Sequence, residues 1–333
     1  MTHGWISRIP QSLITLSVMA VLHASALAVD ERQHVVVVVG AEGTPEYGQM
    51  FSEWADRWQT AAKSGDAEFT LIGTEGGGSD DLLQLQQEFS NAASMKTDEP
   101  LWLVLIGHGT FDGRVARFNL RGPDLSAEAA AELLATSQRP VAVMNCSSCS
   151  APFINALSGP NRIVITGTKD GNEIQFTRFG GFLADAISGL DADIDRDGQT
   201  SLLEAWLFSS ARTEQYYESD GRLATEHSLL DDNGDGKGIR SELFEGVRVK
   251  ESVQEKAVVD GKLAKRWHLV RSEAERSLTL EQRNERDRLE EELEQLRRQK
   301  ADVPETEYLQ QLEQILIPLA KLYESAAQSE ARN

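Results

Sequence analysis

Short apolar runs alternate with amphipathic segments from residue 34 to about residue 249. The apolar runs are rich in Val, Ile and Leu, which is typical of strands buried on both faces of a parallel sheet. The predicted strands cover residues 34–39, 69–72, 101–106, 141–145 and 162–166. Helical patterns separate several of these strands, so the chain is built from βαβ units. This order predicts an α/β sandwich around a mostly parallel sheet.

The pattern changes after residue 250. Residues 271–300 are almost all charged residues, Gln and Leu, with Leu289, Leu293 and Leu296 at helical spacing. A break near Pro304 separates this helix from a second one, whose predicted apolar seam consists of Leu309, Leu312, Leu316, Leu319 and Tyr323. Two seams with a short connection predict an α-helical hairpin or short coiled coil within residues 250–333. The hairpin packs either on the globular domain or on a second copy, or it binds a partner.

The first 28 residues have the pattern of a secretory signal peptide. Arg8 precedes an apolar run of about ten residues, and the segment ends in Ala26-Leu27-Ala28. We therefore expect cleavage after Ala28 and an exported protein, periplasmic or secreted, that is not membrane-bound after cleavage. The mature globular domain is predicted to span residues 32–249.

Charge and composition narrow the classes of partner. The 333 residues include 33 Lys+Arg and 53 Asp+Glu, which gives a formal net charge of −20. Nucleic-acid binding needs basic patches, so this excess of acid argues against DNA or RNA as a partner. With 40% hydrophobic residues, the chain can build a core. The two cysteines, Cys146 and Cys149, are too few for a disulfide scaffold.

Two predicted strands end in residues that can carry chemistry. The strand at 101–106 continues into Gly107-His108-Gly109, and the strand at 141–145 continues into Cys146. In an open parallel sheet, ligands bind beyond the carboxyl ends of the strands. An imidazole beside a thiol can lower its pKa or accept its proton, which would activate the thiol as a nucleophile. The pair predicts a cysteine-dependent active site at this edge.

These motifs resemble those of caspase-fold cysteine peptidases, most nearly the legumain family. Residues 103–109 look like the strand that ends in His-Gly, and residues 141–148 look like the strand that carries the nucleophilic Cys. Residues 163–168, which lead to Glu173, are similar to the following strand and its acidic position. The resemblance covers roughly residues 33–190. It implies a caspase/legumain-like three-layer sandwich, with the C-terminal helical hairpin added to it.

The resemblance implies a cysteine-type endopeptidase acting on peptides or proteins. His108 would be the general acid/base and Cys146 the nucleophile, and the N–H groups of Gly109 and Cys146 would form the oxyanion hole. The chain departs from the legumain pattern around Cys146, so the register also allows Ser147 or Cys149 at the nucleophile position. The alternative is a catalytically inactive caspase-like binding or assembly protein that acts through the helical hairpin. A thioredoxin-type redox pair, or a Cys146–Cys149 disulfide, also fits the C-x-x-C spacing.

Residues 193–204 fit the spacing of an EF-hand calcium loop. The predicted oxygen ligands lie at positions 1, 3, 5, 7, 9 and 12, and Gly198 supplies the sharp turn. They are Asp193, Asp195, Asp197, Gln199 through its carbonyl, Ser201 and Glu204. The pattern predicts a Ca²⁺ ion as cofactor.

Residues 231–242 form a second acidic loop with related spacing. Its predicted ligands are Asp231, Asn233, Asp235 and Glu242. Gly238 and Ile239 fit the pattern poorly, so this loop is the weaker metal-site prediction. His227 precedes it and is expected at the surface.

Overall fold

The computed structural model describes Met1 and residues 32–74, 80–250 and 259–330, with side chains up to residue 324. The signal-peptide prediction, apart from its first residue, lies outside these residues. The strands are β1 His34–Val39, β2 Glu68–Ile72, β3 Leu101–Ile106, β4 Gly109–Phe111, β5 Ala116–Phe118, β6 Leu125–Ser126, β7 Val141–Asn145, β8 Arg162–Thr166, β9 Leu229–Asp231, β10 Phe244–Glu245 and β11 Arg248–Val249. The helices are α1 Pro45–Ser64, α2 Asp81–Ala93, α3 Ala127–Leu134, α4 Pro152–Leu157, α5 Phe179–Ala186, α6 Leu202–Ser219, α7 Glu273–Arg276, α8 Leu280–Arg298 and α9 Glu305–Glu330.

The main sheet has six strands in the order β2-β1-β3-β7-β8-β9. The first five are parallel and correspond to the five predicted strands, whereas β9 pairs antiparallel with β8 and was not predicted. β3 and β7 are direct neighbours, with Leu105 opposite Asn145. The loops that carry His108 and Cys146 therefore leave the same edge of the sheet side by side, as the sequence predicts.

Helices cover both faces of this sheet. On one face, α1, α5 and α6 pack against strand residues such as Val37, Val104 and Met144. On the other face, α2, α3 and α4 pack against the alternate residues, such as Val38, Leu103 and Val143. This is the predicted three-layer α/β sandwich, and it is consistent with the caspase-like fold that the resemblance implies. A smaller three-stranded sheet, β4-β5-β6, follows His108.

The C-terminal helices α8 and α9 form the predicted hairpin. Leu289, Leu293, Leu296 and Ile315 form its small core, with Tyr308, Leu312, Leu319 and Leu322 packed around them. The hairpin is fastened to the sandwich through the buried carboxylate of Glu99. This carboxylate accepts hydrogen bonds from Arg271 and from Arg283, the latter at 2.7 Å. The hairpin thus packs on the globular domain, which was one of the predicted arrangements.

The predicted seam of α9 is wrong in part. Leu312 and Leu319 face α8, but Leu309 is 53% exposed and Leu316 is 41% exposed. The residues that face α8 include Tyr308, Leu312 and Ile315. Tyr308 and Ile315 each lie one position before a residue of the predicted seam. The helix has apolar residues on two sides, so spacing alone did not decide which side meets α8. Among the described residues, no helix combines the length and apolar character needed to cross a bilayer.

Candidate functional site

His108 lies at the carboxyl edge of the sheet, two residues after β3. Its half-buried ring packs against Tyr47, Phe51 and Phe176, with ring centroids 4.8, 5.3 and 6.0 Å away. Its Nε2 lies 3.2 Å from the carbonyl oxygen of Glu42. Because a carbonyl can only accept, this contact assigns the proton to Nε2. The imidazole is thus held among aromatic rings and donates to the backbone.

Cys146 points into the core between the sheet and α5. It is 1% exposed and belongs to the same apolar cluster as Trp54 and Leu183. The backbone of α5 passes so close that a Cβ added at Gly180 would lie 2.7 Å from the Cβ of Cys146. The thiol donates a long hydrogen bond to the carbonyl oxygen of Met144, at 3.8 Å. Among the described residues, no hydrogen bond joins His108 to Cys146.

Burial determines the protonation state of this thiol. Desolvation, helped by the negative charge of Glu226, raises the pKa of Cys146 from 9.0 to about 12. Glu226 is itself buried, and its carboxylate accepts hydrogen bonds from the N–H groups of Arg178 and Phe179 at the start of α5. A thiolate is the reactive form of cysteine, and burial of this kind favours the neutral thiol.

The two serines after Cys146 are also engaged by the protein itself. Ser147 is fully buried, and its hydroxyl donates to Oδ1 of Asn145 at 2.7 Å. Ser148 lies against the His108 loop, where its hydroxyl accepts from the N–H of Gly109 and donates to the carbonyl of Gly109, both at 3.2 Å. The N–H of Gly109, predicted to serve an oxyanion, therefore already has a partner. The sequence does not indicate that the Ser148 hydroxyl is the acceptor for this N–H group.

Cys149 lies in a strained turn after the two serines. Its φ of 56° is in the left-handed region, and its thiol is buried. The sulfur lies 3.9 Å from the carbonyl oxygen of Glu173, and burial together with the charge of Asp170 raises its pKa. Cys146 and Cys149 are both free thiols in this structure. The nucleophile assignments to Cys146, Ser147 and Cys149 all stay predictions, and none of these side chains is exposed.

Glu173, the acidic position singled out by the resemblance, organises the loop around Cys149. Its carboxylate accepts from Nδ1 of His227 at 2.5 Å and from the N–H of Lys169 at 2.9 Å. His227 is therefore tied to this loop and is only half exposed, whereas the sequence placed it at the surface. The thiol of Cys149 contacts the backbone of Glu173, not the His227 ring. The interaction could not be read from spacing because the two residues are 54 positions apart.

The first acidic loop brings three predicted ligands together. Carboxylate oxygens of Asp193, Asp195 and Asp197 all lie within 4.8 Å of one another. Gly198 turns the chain with a φ of 87°, as predicted, and Asp193 accepts the N–H groups of Asp197 and Gly198 at 3.1 and 3.0 Å. Several carboxylate oxygens in one small volume are the donors that Ca²⁺ prefers. The residues of this turn thus fit a calcium ion.

The later positions of the same loop have other contacts. Ser201 and Glu204 form a capping box at the start of α6. One carboxylate oxygen of Glu204 accepts from the N–H groups of Ile194 and Asp195, and the other accepts from Ser201. The Gln199 side chain bridges Asp197 and the N–H of Ser272. Glu204 is thus engaged by the loop itself and does not belong to the carboxylate cluster.

The second acidic loop does not gather its four predicted ligands in the same way. Asp231 is buried at the end of β9, while Asn233 and Asp235 follow in a turn and accept N–H groups of that turn. Glu242 lies on a separate 3₁₀ turn and pairs with Arg240. Among the described residues, it is in the first loop that three carboxylates lie within 4.8 Å of one another.

Comparison with known proteins yields remote structural likenesses. No protein-family model and no curated protein matches the chain. Among solved structures, the Drosophila initiator caspase Dronc is 13% identical with a TM-score of 0.41, covering 71% of this chain and 96% of Dronc. Caspase-1 from Spodoptera frugiperda is 9% identical with a TM-score of 0.38, covering 63% and 90%. A protein from Geobacter sulfurreducens is 12% identical with a TM-score of 0.39, covering 60% and 92%. Such low values carry no activity over to this chain.

Proposed function

We propose that this chain is a caspase-like protein without cysteine catalysis, which is exported and binds calcium. The observation that carries the first part is the burial of Cys146, whose sulfur lies in the core while His108 donates to the backbone. An acyl-enzyme mechanism needs a nucleophile and a base within hydrogen-bond reach of each other and of the substrate. Among the described residues no hydrogen bond joins His108 to Cys146, the thiol is 1% exposed, and Ser148 already occupies the Gly109 N–H.

Incubation with an unfolded protein substrate tests this proposal against the endopeptidase that the resemblance implies. The parent protein, Cys146→Ala and Cys149→Ser are compared by mass spectrometry of the products, with and without calcium. We expect no peptide bond cleavage that depends on either thiol. Cleavage by the parent that is absent in Cys146→Ala would establish the peptidase and overturn the proposal.

The first acidic loop supports the calcium-binding part. Asp193, Asp195 and Asp197 would hold the ion, which would neutralise three carboxylates that otherwise repel one another. Burial and neighbouring carboxylates, Glu204 for Asp195 and Asp193 for Asp197, raise the pKa of both groups, as expected for crowded acids without a cation. The Gln199 link to Ser272 connects this turn to the segment before the hairpin. The bound ion would therefore rigidify the region where sandwich and hairpin meet.

Calorimetric titration with calcium tests this site. The parent protein should release or absorb heat on binding, and Asp193→Asn combined with Asp195→Asn should remove that signal from the first loop. Asp112→Asn is a matched control, because Asp112 is an exposed turn carboxylate outside both loops. An unchanged isotherm in the double variant would contradict the assignment.

The hairpin offers a surface for assembly. Leu309 and Leu316 are exposed one heptad apart on α9, and the adjacent Ile317 is 45% exposed. We favour a second copy of the chain as the occupant, since exposed leucines one heptad apart are typical of a coiled-coil seam. Sedimentation equilibrium should show a dimer that Leu309→Ser with Leu316→Ser dissociates. Leu83→Ser, a change at an exposed leucine of α2, is the control, and a monomeric parent would contradict this part.

Export rests on the signal-peptide pattern of residues 1–28. The expected mature protein begins at Val29 and collects outside the cytoplasm. Intact-mass measurement of the protein recovered from the periplasm or medium tests this cleavage. A full-length chain that stays in the cytoplasm would contradict it.

A further inference from the structure

One oxygen of a buried carboxylate in the second acidic loop lacks a hydrogen-bond partner. Asp231 is 1% exposed, and its Oδ1 accepts from the Ser158 hydroxyl and from the N–H of Gly234, both at 3.2 Å. Its Oδ2 is buried and has no hydrogen-bond partner among the described residues. Because Gly234 N–H binds the same carboxylate, the group faces the turn formed by residues 231–236. A buried oxygen of this kind is costly unless something outside the chain binds it.

Other acidic groups surround this carboxylate. Asp232 and Asp260 are also buried, and Asp235 stands on the same turn. Asp232 accepts the N–H groups of Gly261 and Ala264 at 2.8 Å, and Asp260 accepts the N–H groups of Asp232 and Asn233 at 2.9 and 3.1 Å. None of the four carboxylates forms an ion pair with a Lys or Arg among the described residues. Buried charges are normally paired or bound to a metal, so this group favours a bound cation.

The turn itself is held firmly in place. Gly236 donates to the Ser158 hydroxyl at 3.0 Å, and its carbonyl accepts from the Asn155 side chain at 3.0 Å. Both partners belong to α4 or its end, on the sandwich. Glu242, the twelfth position of the predicted loop, is held away by Arg240. The turn of residues 231–236 can therefore supply ligands by itself. Glu242, the last residue of the EF-hand pattern, does not take part.

We propose that Asp231, through Oδ2, and Asp235 bind a second calcium ion, with further oxygens supplied by the turn of residues 231–236. Hard oxygen donors select a divalent ion such as calcium, and the buried aspartates around it supply the compensating negative charge. The hydrogen bonds that the carboxylates of Asp232 and Asp260 accept from backbone N–H groups link the turn to residues 260–264, which precede the hairpin. Binding would tie β9 to the segment that carries the C-terminal helices. This site is independent of the first loop.

Calcium stoichiometry distinguishes the two loops. Calorimetry of the parent protein should give two ions per chain, and Asp193→Asn with Asp195→Asn should leave one. Asp231→Asn, and separately the exposed Asp235→Asn, should each remove the other site or weaken it at least tenfold. If both second-loop variants bind calcium as the parent does, the proposal is overturned. If the first loop proves inert while Asp231→Asn still removes one ion, the second-loop site stands alone.

Thermal unfolding supplies a readout that a purely structural aspartate would not give. In chelator, Asp231→Asn should unfold at a higher temperature than the parent, since an unpaired buried charge is removed. In excess calcium the order should reverse, because only the parent gains stability from an ion bound at this second site. Asp235→Asn, at an exposed position where loss of folding is not expected, should likewise lose the stabilisation by calcium at this site. The same order of melting temperatures with and without calcium would overturn the proposal.

Discussion

The carboxyl edge of the sheet and the acidic loops differ in how completely the chain satisfies its own polar groups. At the carboxyl edge, the Ser148 hydroxyl accepts from the N–H of Gly109, and His108 donates to the carbonyl of Glu42. Cys146 is buried in the core. In the loops, three carboxylates crowd together around Asp195, and Asp231 keeps a buried oxygen without a partner. A site that binds something must leave polar groups available for it. This difference supports the proposed binding of cations in the loops, although the sequence motifs drew attention to the edge.

The largest expected effect is the loss of calcium affinity when the carboxylates of the first loop are removed. Replacing Asp193, Asp195 and Asp197 together by Asn should weaken calcium binding at the first loop by at least about 100-fold, or about 2.7 kcal/mol, because three charged ligands are lost. Terbium luminescence, with calcium as competitor, measures this change. Retained affinity in the triple variant would show that the ion binds elsewhere.

A substitution next to Cys146 tests the packing at the edge. Gly180→Ala would place a Cβ 2.7 Å from the Cβ of Cys146 and 3.0 Å from the Trp54 ring. Overpacking of this kind costs about 1–3 kcal/mol, which we expect as a lowered free energy of unfolding in urea. Gly189→Ala is the matched control, since its nearest contact would be an ordinary 3.5 Å. Equal stabilities for the two variants would mean that Cys146 does not pack on α5.

Alkaline unfolding reports the protonation of the same thiol. Folding raises the pKa of Cys146 from 9.0 to about 12, so the unfolded chain loses its proton first. The resulting stabilisation is complete below pH 9 and is lost as the pH rises to about 12, at about 1.4 kcal/mol per pH unit. The free energy of unfolding in urea should therefore fall more steeply with rising pH for the parent than for Cys146→Ala. Parallel pH profiles would place the thiol in water.

The smallest expected effect concerns the contact between the two edge loops. Ser148→Ala leaves the N–H of Gly109 without its hydroxyl partner, which should cost about 1 kcal/mol of unfolding free energy. Ser94→Ala is a suitable control, because that exposed hydroxyl bonds only within its own helix end. A Ser148→Ala variant as stable as its control would mean that water replaces the hydroxyl and the edge is open.

The sequence predicted the parts of the fold that rest on strong hydrophobic patterns. The five parallel strands, the flanking helices and the hairpin follow from uninterrupted apolar runs and seams. β9 was missed because Leu229–Asp231 is too short to give a periodic signal. Leu309 and Leu316 were assigned to the wrong side of α9, since that helix carries apolar residues on both sides.

The site was less predictable because burial and direction are tertiary properties. Cys146 follows Ala142 and Met144 at intervals of two, and this alternation, which places all three on one face, was the available signal that its thiol points into the core. The contact of Glu173 with His227 and the open oxygen of Asp231 have no such signal. They depend on residues from distant parts of the chain that meet only in the folded protein.

Thiol alkylation measured residue by residue tests the central claim most directly. The folded parent protein is treated with iodoacetamide at neutral pH, in parallel with a urea-unfolded sample, and each cysteine is quantified by mass spectrometry. With a pKa of about 12, about one Cys146 thiol in 10⁵ is ionised at pH 7, and the core excludes the reagent. We therefore expect Cys146 and Cys149 to be modified only in urea. Rapid modification of Cys146 in the folded protein, abolished by His108→Ala, would contradict the account and restore a catalytic pair.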